Sequence, residues 1–371
     1  MTGPHAYLDY NATAPLRAVA LDAMTAAAAL TGNPSSVHGP GRAARQVLEV
    51  ARSTIAATVG AGPAEVVFTS GGTEANNMAI HGLGASVLYD ATAHDSIRAP
   101  AEARGGIAVP VQPDGRIDLK ALEELLRHSA APALVAIVAA NNETGILQPV
   151  TEIAALVHAH RGLLLCDAVQ ALGRVPVKIT DMGADALVLS AHKVGGPKGV
   201  GALVLRPGLD VKPLILGGGQ ERRRRSGTEN LMGIAGFAAA VTASQSDDWA
   251  AVAQLRDDLE GEIQRLCPDA IIIGHDAPRL PNTSAIVLPG VASQTQVMTL
   301  DLAGVAVSAG SACSSGKVQS SHVLMAMGYD QAFAGAVIRV SLGPQTTRAD
   351  VDRFLSAWGK MAARRQMVVN A

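Results

Sequence analysis

The chain has 371 residues, 48% of them hydrophobic and 17% charged, with a formal net charge of −2. This balance suits a globular protein with a large core and argues against a nucleic acid or a membrane surface as the main partner. Aromatics are only 3%, so Ala, Val, Leu and Gly must fill that core, and three cysteines without regular spacing (Cys166, Cys267, Cys313) give neither a disulfide framework nor a zinc pattern and suit a reducing cytoplasm.

In chain order, the opening MTGPHAYLDYNATAP lacks the basic-then-apolar layout of a secretory leader. The run AVALDAMTAAAAL (18–30) is too short for a membrane span and carries Asp22. EVVFTSGGTEANNMAIHGL (65–83) reads as strand, turn and helix. ALVAIVAANNETG (133–145) and RGLLLCDAVQALG (161–173) read as buried strands that end in polar residues. ADALVLSAHKVGGPKGVGALVLRPG (184–208) reads as two strands around a polar turn. Continuous Val/Leu/Ile/Ala runs alternating with helices predict an α/β domain with a mostly parallel sheet covered on both faces. Ligands in such sheets bind at the carboxyl ends of the strands, where each of these polar clusters falls. From about residue 255 the pattern changes. A charged helix (254–266), AIIIGH, TSAIVLPG, VIRVSLG and a final helix from about 347 predict a smaller α+β domain. The expected division is 14–253 for the large domain and 1–13 plus 254–371 for the small one.

Ser70-Gly71-Gly72-Thr73 lies between strand and helix. Small residues there let backbone N–H groups approach an anion. The plainer reading is a tight turn with Thr73 near the helix N-cap. Asp167 ends a buried run, where a carboxylate could cap a helix, ligate a metal or pair with a cationic ring nitrogen. Lys193 follows another buried run, and a desolvated lysine has a lowered pKa and can form a Schiff base with an aldehyde. Each item is weak alone. Together they supply what pyridoxal 5′-phosphate requires of a protein: a phosphate cup, a carboxylate for the pyridinium and an amine for the aldehyde.

With YLDYNATAP (7–15), GNPSSVH (32–38), FTSGGTEANN (68–77), NNETG (141–145), DAVQALG (167–173), SAHKVGGPKGVG (190–201), RRSGTEN (224–230), SAGSAC (308–313) and IRVSLG (338–343), the chain resembles the cysteine desulfurases. These form part of the class V branch of fold-type I pyridoxal phosphate enzymes. The Cys313 segment is similar to that of the longer-loop, NifS/IscS-like subgroup, the kind that serves iron–sulfur assembly. The resemblance implies roles residue by residue. Lys193 would hold the cofactor covalently and act as base at the substrate Cα. Asp167 would pair with the pyridinium nitrogen, His94 would stack on the ring and Gln170 would bond its phenolic oxygen. Thr73, Ser190, His192 and the backbone at Gly72 would hold the phosphate, with Thr228 reaching in from the neighbouring subunit of a homodimer. Asn142 and Arg339 would take the carboxylate of L-cysteine. Cys313, as a thiolate whose deprotonation is assisted by His94 or the substrate thiol, would attack the substrate sulfur. Alanine and an enzyme persulfide result, the latter destined for a sulfur-acceptor protein. Cys166 and Cys267 would be structural.

The run Arg222 to Arg225 invites a nucleic-acid reading, but the resemblance makes it part of the loop carrying Thr228, with some of these arginines at the site entrance. Lys317 and Asn11 are unusual for the family; neither is expected to touch the core chemistry, though Lys317 would bear on acceptor choice. Three rivals stand beside the desulfurase: a selenocysteine lyase or other class V lyase or aminotransferase, a non-catalytic phosphate-binding module, and an RNA-binding protein using the arginine run. The acceptor's identity is left open among iron–sulfur, tRNA-thiolation and molybdenum-cofactor routes.

Overall fold

A computed structural model describes residues 5–310 and 320–369. Among the described residues the first element is a short strand, β1 (Ala6–Tyr7), and a seven-stranded sheet follows. Its strands are β2 (Val66–Thr69), β3 (Ser86–Asp90), β4 (Ile107–Val109), β5 (Ala133–Val138), β6 (Leu163–Asp167), β7 (Ala186–Ser190) and β8 (Gly201–Leu205), in the spatial order β2-β8-β7-β6-β5-β3-β4. Every pairing from β7 through β6, β5 and β3 to β4 is parallel, and only β8 runs against its neighbours β7 and β2. The expected mostly parallel sheet is therefore present.

Period-2 alternation explains why the central strands read as unbroken apolar runs. In β5, Val135 and Ile137 enter one core while Leu134, Ala136 and Val138 enter the other. The same split divides Leu164 and Cys166 from Leu165, and Leu187 and Leu189 from Ala186 and Val188. One face is covered by the helices Gly39–Val59 and Leu231–Ser244, through Leu48, Ile55, Phe237 and Val241. The other is covered by Gly72–Gly82 and Asp95–Ala103, through Met78, Ala79, Ile97 and Ala101.

The C-terminal part contains β9 (Ile271–Ile273), β10 (Thr283–Val287), β11 (Val305–Ala306), β12 (Ser308–Ala309) and β13 (Val337–Ser341). An antiparallel sheet runs β12-β13-β10-β9, and β11 pairs in parallel with β1. Helices Trp249–Leu266 and Arg348–Val369 pack on it through Leu259, Ile263, Phe354 and Trp358, and Ala6 and Leu8 join the same core. The first of these helices starts five residues before the expected 254. Asp248 supplies the start signal, its carboxylate accepting from the Ala251 N–H, and it lies ahead of the charged residues that suggested the helix. The N-terminal segment ties the two parts together. Ser341 N donates to Leu8 O in the small sheet, while Ala14 N donates to His192 O and Arg17 N to Gly195 O beyond β7. Among the described residues no helix is long and apolar enough to cross a membrane.

Candidate active site

Strands β2, β3, β5, β6 and β7 share one direction, so their polar ends converge on one edge of the large sheet. A cavity of about 320 Å³ lies there. Its lining brings together Gly72 and Thr73 after β2, His94 after β3, Asn142 after β5, Asp167 and Gln170 after β6, and Ser190, His192 and Lys193 after β7. Arg339 reaches it from β13 of the other sheet. Thr228 is exposed and does not line this cavity, and Cys313 and Lys317 lie outside the described residues.

The glycine turn opens the helix Gly72–Gly82, with Gly71 rather than Thr73 at the N-cap. Thr73 thus sits in the first turn, where it lines the cavity. A side chain at Gly72 would be driven against Val169, whose Cγ2 lies 3.0 Å from the Cβ position, and toward Ser190. Glycine therefore keeps this part of the cup open.

Asp167 is buried, which pushes its carboxyl pKa up. Opposing that, its Oδ2 accepts from Asn76 Nδ2 at 2.7 Å and its Oδ1 from the Val169 N–H at 2.9 Å. A carboxylate held this way suits a cationic ring nitrogen. Lys193 donates from Nζ to the carbonyls of Asn11 (2.5 Å) and Ala12 (3.0 Å). Burial, reinforced by the nearby Arg339 and Arg174 guanidinium groups, lowers its pKa to about 7, so much of it is a neutral amine near neutrality. Burial together with Lys193 and Lys198 lowers the pKa of His192 to about 4, making it a neutral ligand rather than a cation.

Gln170 is oriented from behind. Arg174 Nη1 donates to Gln170 Oε1 (2.5 Å), so the amide nitrogen faces away and donates to Asn11 O (3.0 Å). That leaves the second Nε2 hydrogen for an acceptor in the cavity. Arg339 spends one N–H of Nη1 on Asn142 O (2.9 Å) and one of Nη2 on Asp9 Oδ1 (2.8 Å), and its buried Nε has no partner among the described residues. His94 caps the helix Asp95–Ala103, its Nδ1 accepting from the Ser96 N–H at 3.1 Å. The turn before it is pinned by buried Asp90, whose Oδ1 accepts from Thr92 N and Thr92 Oγ1 at 2.7 Å each.

These groups fit pyridoxal 5′-phosphate on the chemistry of the donor set: an amine of depressed pKa, a buried carboxylate short of a cation, hydroxyls at a helix N-terminus and a cup that a Cβ would fill. Asn11 corrects the sequence expectation. It lines the cavity, its carbonyl receives both Lys193 and Gln170, and its Nδ2 donates to Asn142 O and Thr283 Oγ1. Sequence reasoning missed Asp9, Asn76, Ser96 and Arg174 as supports. In the arginine run, Arg224 pairs with Asp210 and Arg225 with Glu74, whose other oxygen accepts from Ser70 N. Arg225 thereby ties the loop carrying Thr228 to the glycine turn.

Comparison with known proteins identifies the family. The aminotransferase class-V family model matches residues 6–354. A cysteine desulfurase of Cereibacter sphaeroides is 43% identical over 365 residues, covering 94% of this chain and 93% of that protein. Cysteine desulfurase IscS 1 of Archaeoglobus fulgidus is 39% identical, covering 94% of each. The structure of a NifS-like protein from Rickettsia africae superposes with a TM-score of 0.90 at 34% identity, covering 96% of this chain and 99% of that one. The chain belongs to the aminotransferase class-V family.

Proposed function

We propose that the protein is a pyridoxal 5′-phosphate-dependent cysteine desulfurase. It takes sulfur from L-cysteine, releases L-alanine and keeps the sulfur as a persulfide on Cys313 for an acceptor protein. The observation that carries this is the meeting of Lys193, Asp167 and Arg339 in one cavity under the glycine turn. Pyridoxal 5′-phosphate, when bound, supplies an electron sink for negative charge at the substrate Cα. Thr73, Ser190, His192 and the Gly72 backbone would hold its phosphate, Lys193 its aldehyde group, Asp167 its ring nitrogen and Gln170 its phenolic oxygen, with His94 beside the ring. Arg339 and Asn142 orient the substrate carboxylate, and Lys193 Nζ takes the Cα proton. The substrate C–S bond then breaks as Cys313 Sγ, deprotonated, bonds to the leaving sulfur. The electron pair of the C–S bond stays with the carbon, so alanine gains two protons: one at Cβ, equivalent to that given up by the Cys313 thiol, and one returned to Cα from Lys193 Nζ. Alanine release from L-cysteine by the purified, cofactor-loaded protein tests the reading; turnover confined to L-selenocysteine would point instead to a selenocysteine lyase.

Arg339→Ala should raise KM for cysteine about 10- to 100-fold with a smaller change in kcat, because a charge-assisted bond to the substrate carboxylate is lost. An unchanged KM would remove Arg339 from the substrate site.

The enzyme works as a two-fold dimer with shared sites in a reducing cytoplasm. The exposed Leu214 and Leu216 precede the exposed Thr228 on one loop, as expected of a segment that a second copy covers. Thr228 then reaches the neighbour's phosphate. A mixed dimer of Lys193→Ala and Thr228→Ala chains should contain one doubly damaged and one intact site, and so regain about half the wild-type activity. If Thr228→Ala alone is impaired and the mixed dimer shows no more than the mean of the two mutant homodimers, the shared site is excluded.

A further inference from the structure

In the cavity wall, four side chains, three of them (His94, Ser96 and Asp167) lining the cavity, form a hydrogen-bonded line whose donors all have one allowed direction. His94 Nδ1 accepts from the Ser96 backbone N–H at 3.1 Å, which requires a lone pair on Nδ1 and puts the ring proton of the neutral form on Nε2. Ser96 Oγ lies 3.0 Å from the same Nδ1 and so points its own hydrogen at it. Its oxygen at the same time accepts from Asn76 Nδ2 at 3.0 Å, which fixes the hydroxyl's place in the line. The other Nδ2 hydrogen goes to Asp167 Oδ2 at 2.7 Å.

The Asn76 amide has no freedom to flip. Reversed, its oxygen would face the Asp167 carboxylate at bonding distance, lone pair against lone pair. In the observed orientation Asn76 Oδ1 is buried without a partner among the described residues, and the side chain is fully buried. Leaving a buried carbonyl oxygen unpaired is costly, and such exceptions point to a role elsewhere in the group.

We propose that Asn76 and Ser96 are positioning residues that hold His94 as its Nε2–H tautomer while the same amide keeps Asp167 an acceptor. They couple the two groups that flank the cofactor ring in the reading above, on which this inference rests. Protonating His94 at Nδ1 would turn both Ser96 donors against it. The charged groups facing the imidazole are Asp167 from the end of β6, Lys193 after β7, Asp95 on its own helix and Arg339 from β13, with His322 near it from the helix His322–Ala326. Partial desolvation already favours the neutral ring, in the same direction as the relay, although the side chain keeps much of its surface accessible.

The test is ¹⁵N NMR of the histidine side chains in the full-length protein, with and without pyridoxal phosphate, His94 being assigned by His94→Gln. Wild type should show the Nε2–H tautomer. Ser96→Ala keeps the backbone donor but loses the hydroxyl, and should raise the His94 pKa by about one unit; Ser96→Thr should restore the wild-type value. Asn76→Ala should raise it too, although the Ser96 hydroxyl is intact. An Nδ1–H tautomer in wild type, or a His94 pKa unmoved by both Ser96→Ala and Asn76→Ala, would overturn the relay. These signals require no turnover. A missing relay in an active desulfurase therefore leaves the function standing, and an intact relay in an inactive one does the reverse.

Discussion

Lys193→Ala should reduce alanine formation by about 10³-fold or more, since one substitution removes both the covalent anchor of the cofactor and the base at Cα. The structure supplies the physical basis. Lys193 is on the cavity wall, and its amine is desolvated and flanked by Arg339 and Arg174, which brings its pKa to about 7. The sign is fixed by that shift. Below about 7 the amine is protonated and cannot attack an aldehyde; above it the neutral form dominates. Uptake of pyridoxal phosphate by the cofactor-free protein should accordingly rise as pH climbs through neutrality and level off above it. An exposed lysine would keep rising to far higher pH. Stopped-flow absorbance follows the uptake, and an alanine assay follows turnover. Native-rate turnover by the purified variant would remove Lys193 from the chemistry.

Cys313→Ser should bind the cofactor normally and bring alanine formation from cysteine down to background, because a serine oxygen cannot take up the departing sulfur. The other two cysteines offer no substitute. Cys166 is buried in β6, where burial pushes its thiol pKa far above neutrality, and Cys267 is buried beneath the small sheet. Cofactor absorbance and an alanine assay on the same preparation separate the two effects. Normal sulfide release by this variant would refute the assignment.

Much of the fold was legible because its central strands are buried on both faces. ALVAIV, LLLC and ALVLS announce themselves as strands through unbroken apolar runs, and the polar residues after each mark the site edge. Lys193, Asp167 and the glycine turn were readable from that placement. His94 was assigned from the resemblance alone, although SVLYDATAHDS carries the same strand-then-polar signal at 86–96. The supports were harder to see because they act across the chain. Asn11 lies 182 residues from the lysine whose Nζ its carbonyl accepts. Asp9 lies 330 from Arg339, and Asn76 lies 91 from Asp167. In one dimension Asn76 is merely a polar residue in a helix, and only packing against β6 turns its amide toward the carboxylate. Arg174 likewise reads as a surface charge but is buried behind Gln170.

The most direct test of the desulfurase reading is a single-turnover experiment. The cofactor-loaded enzyme is mixed with L-cysteine without reductant, alanine is counted, and the peptide containing Cys313 is weighed by mass spectrometry. The account predicts one alanine per active site, matched by one added sulfur atom on that peptide and none on those holding Cys166 or Cys267. Alanine formed without sulfur on the Cys313 peptide, or cysteine consumed without alanine, would contradict it.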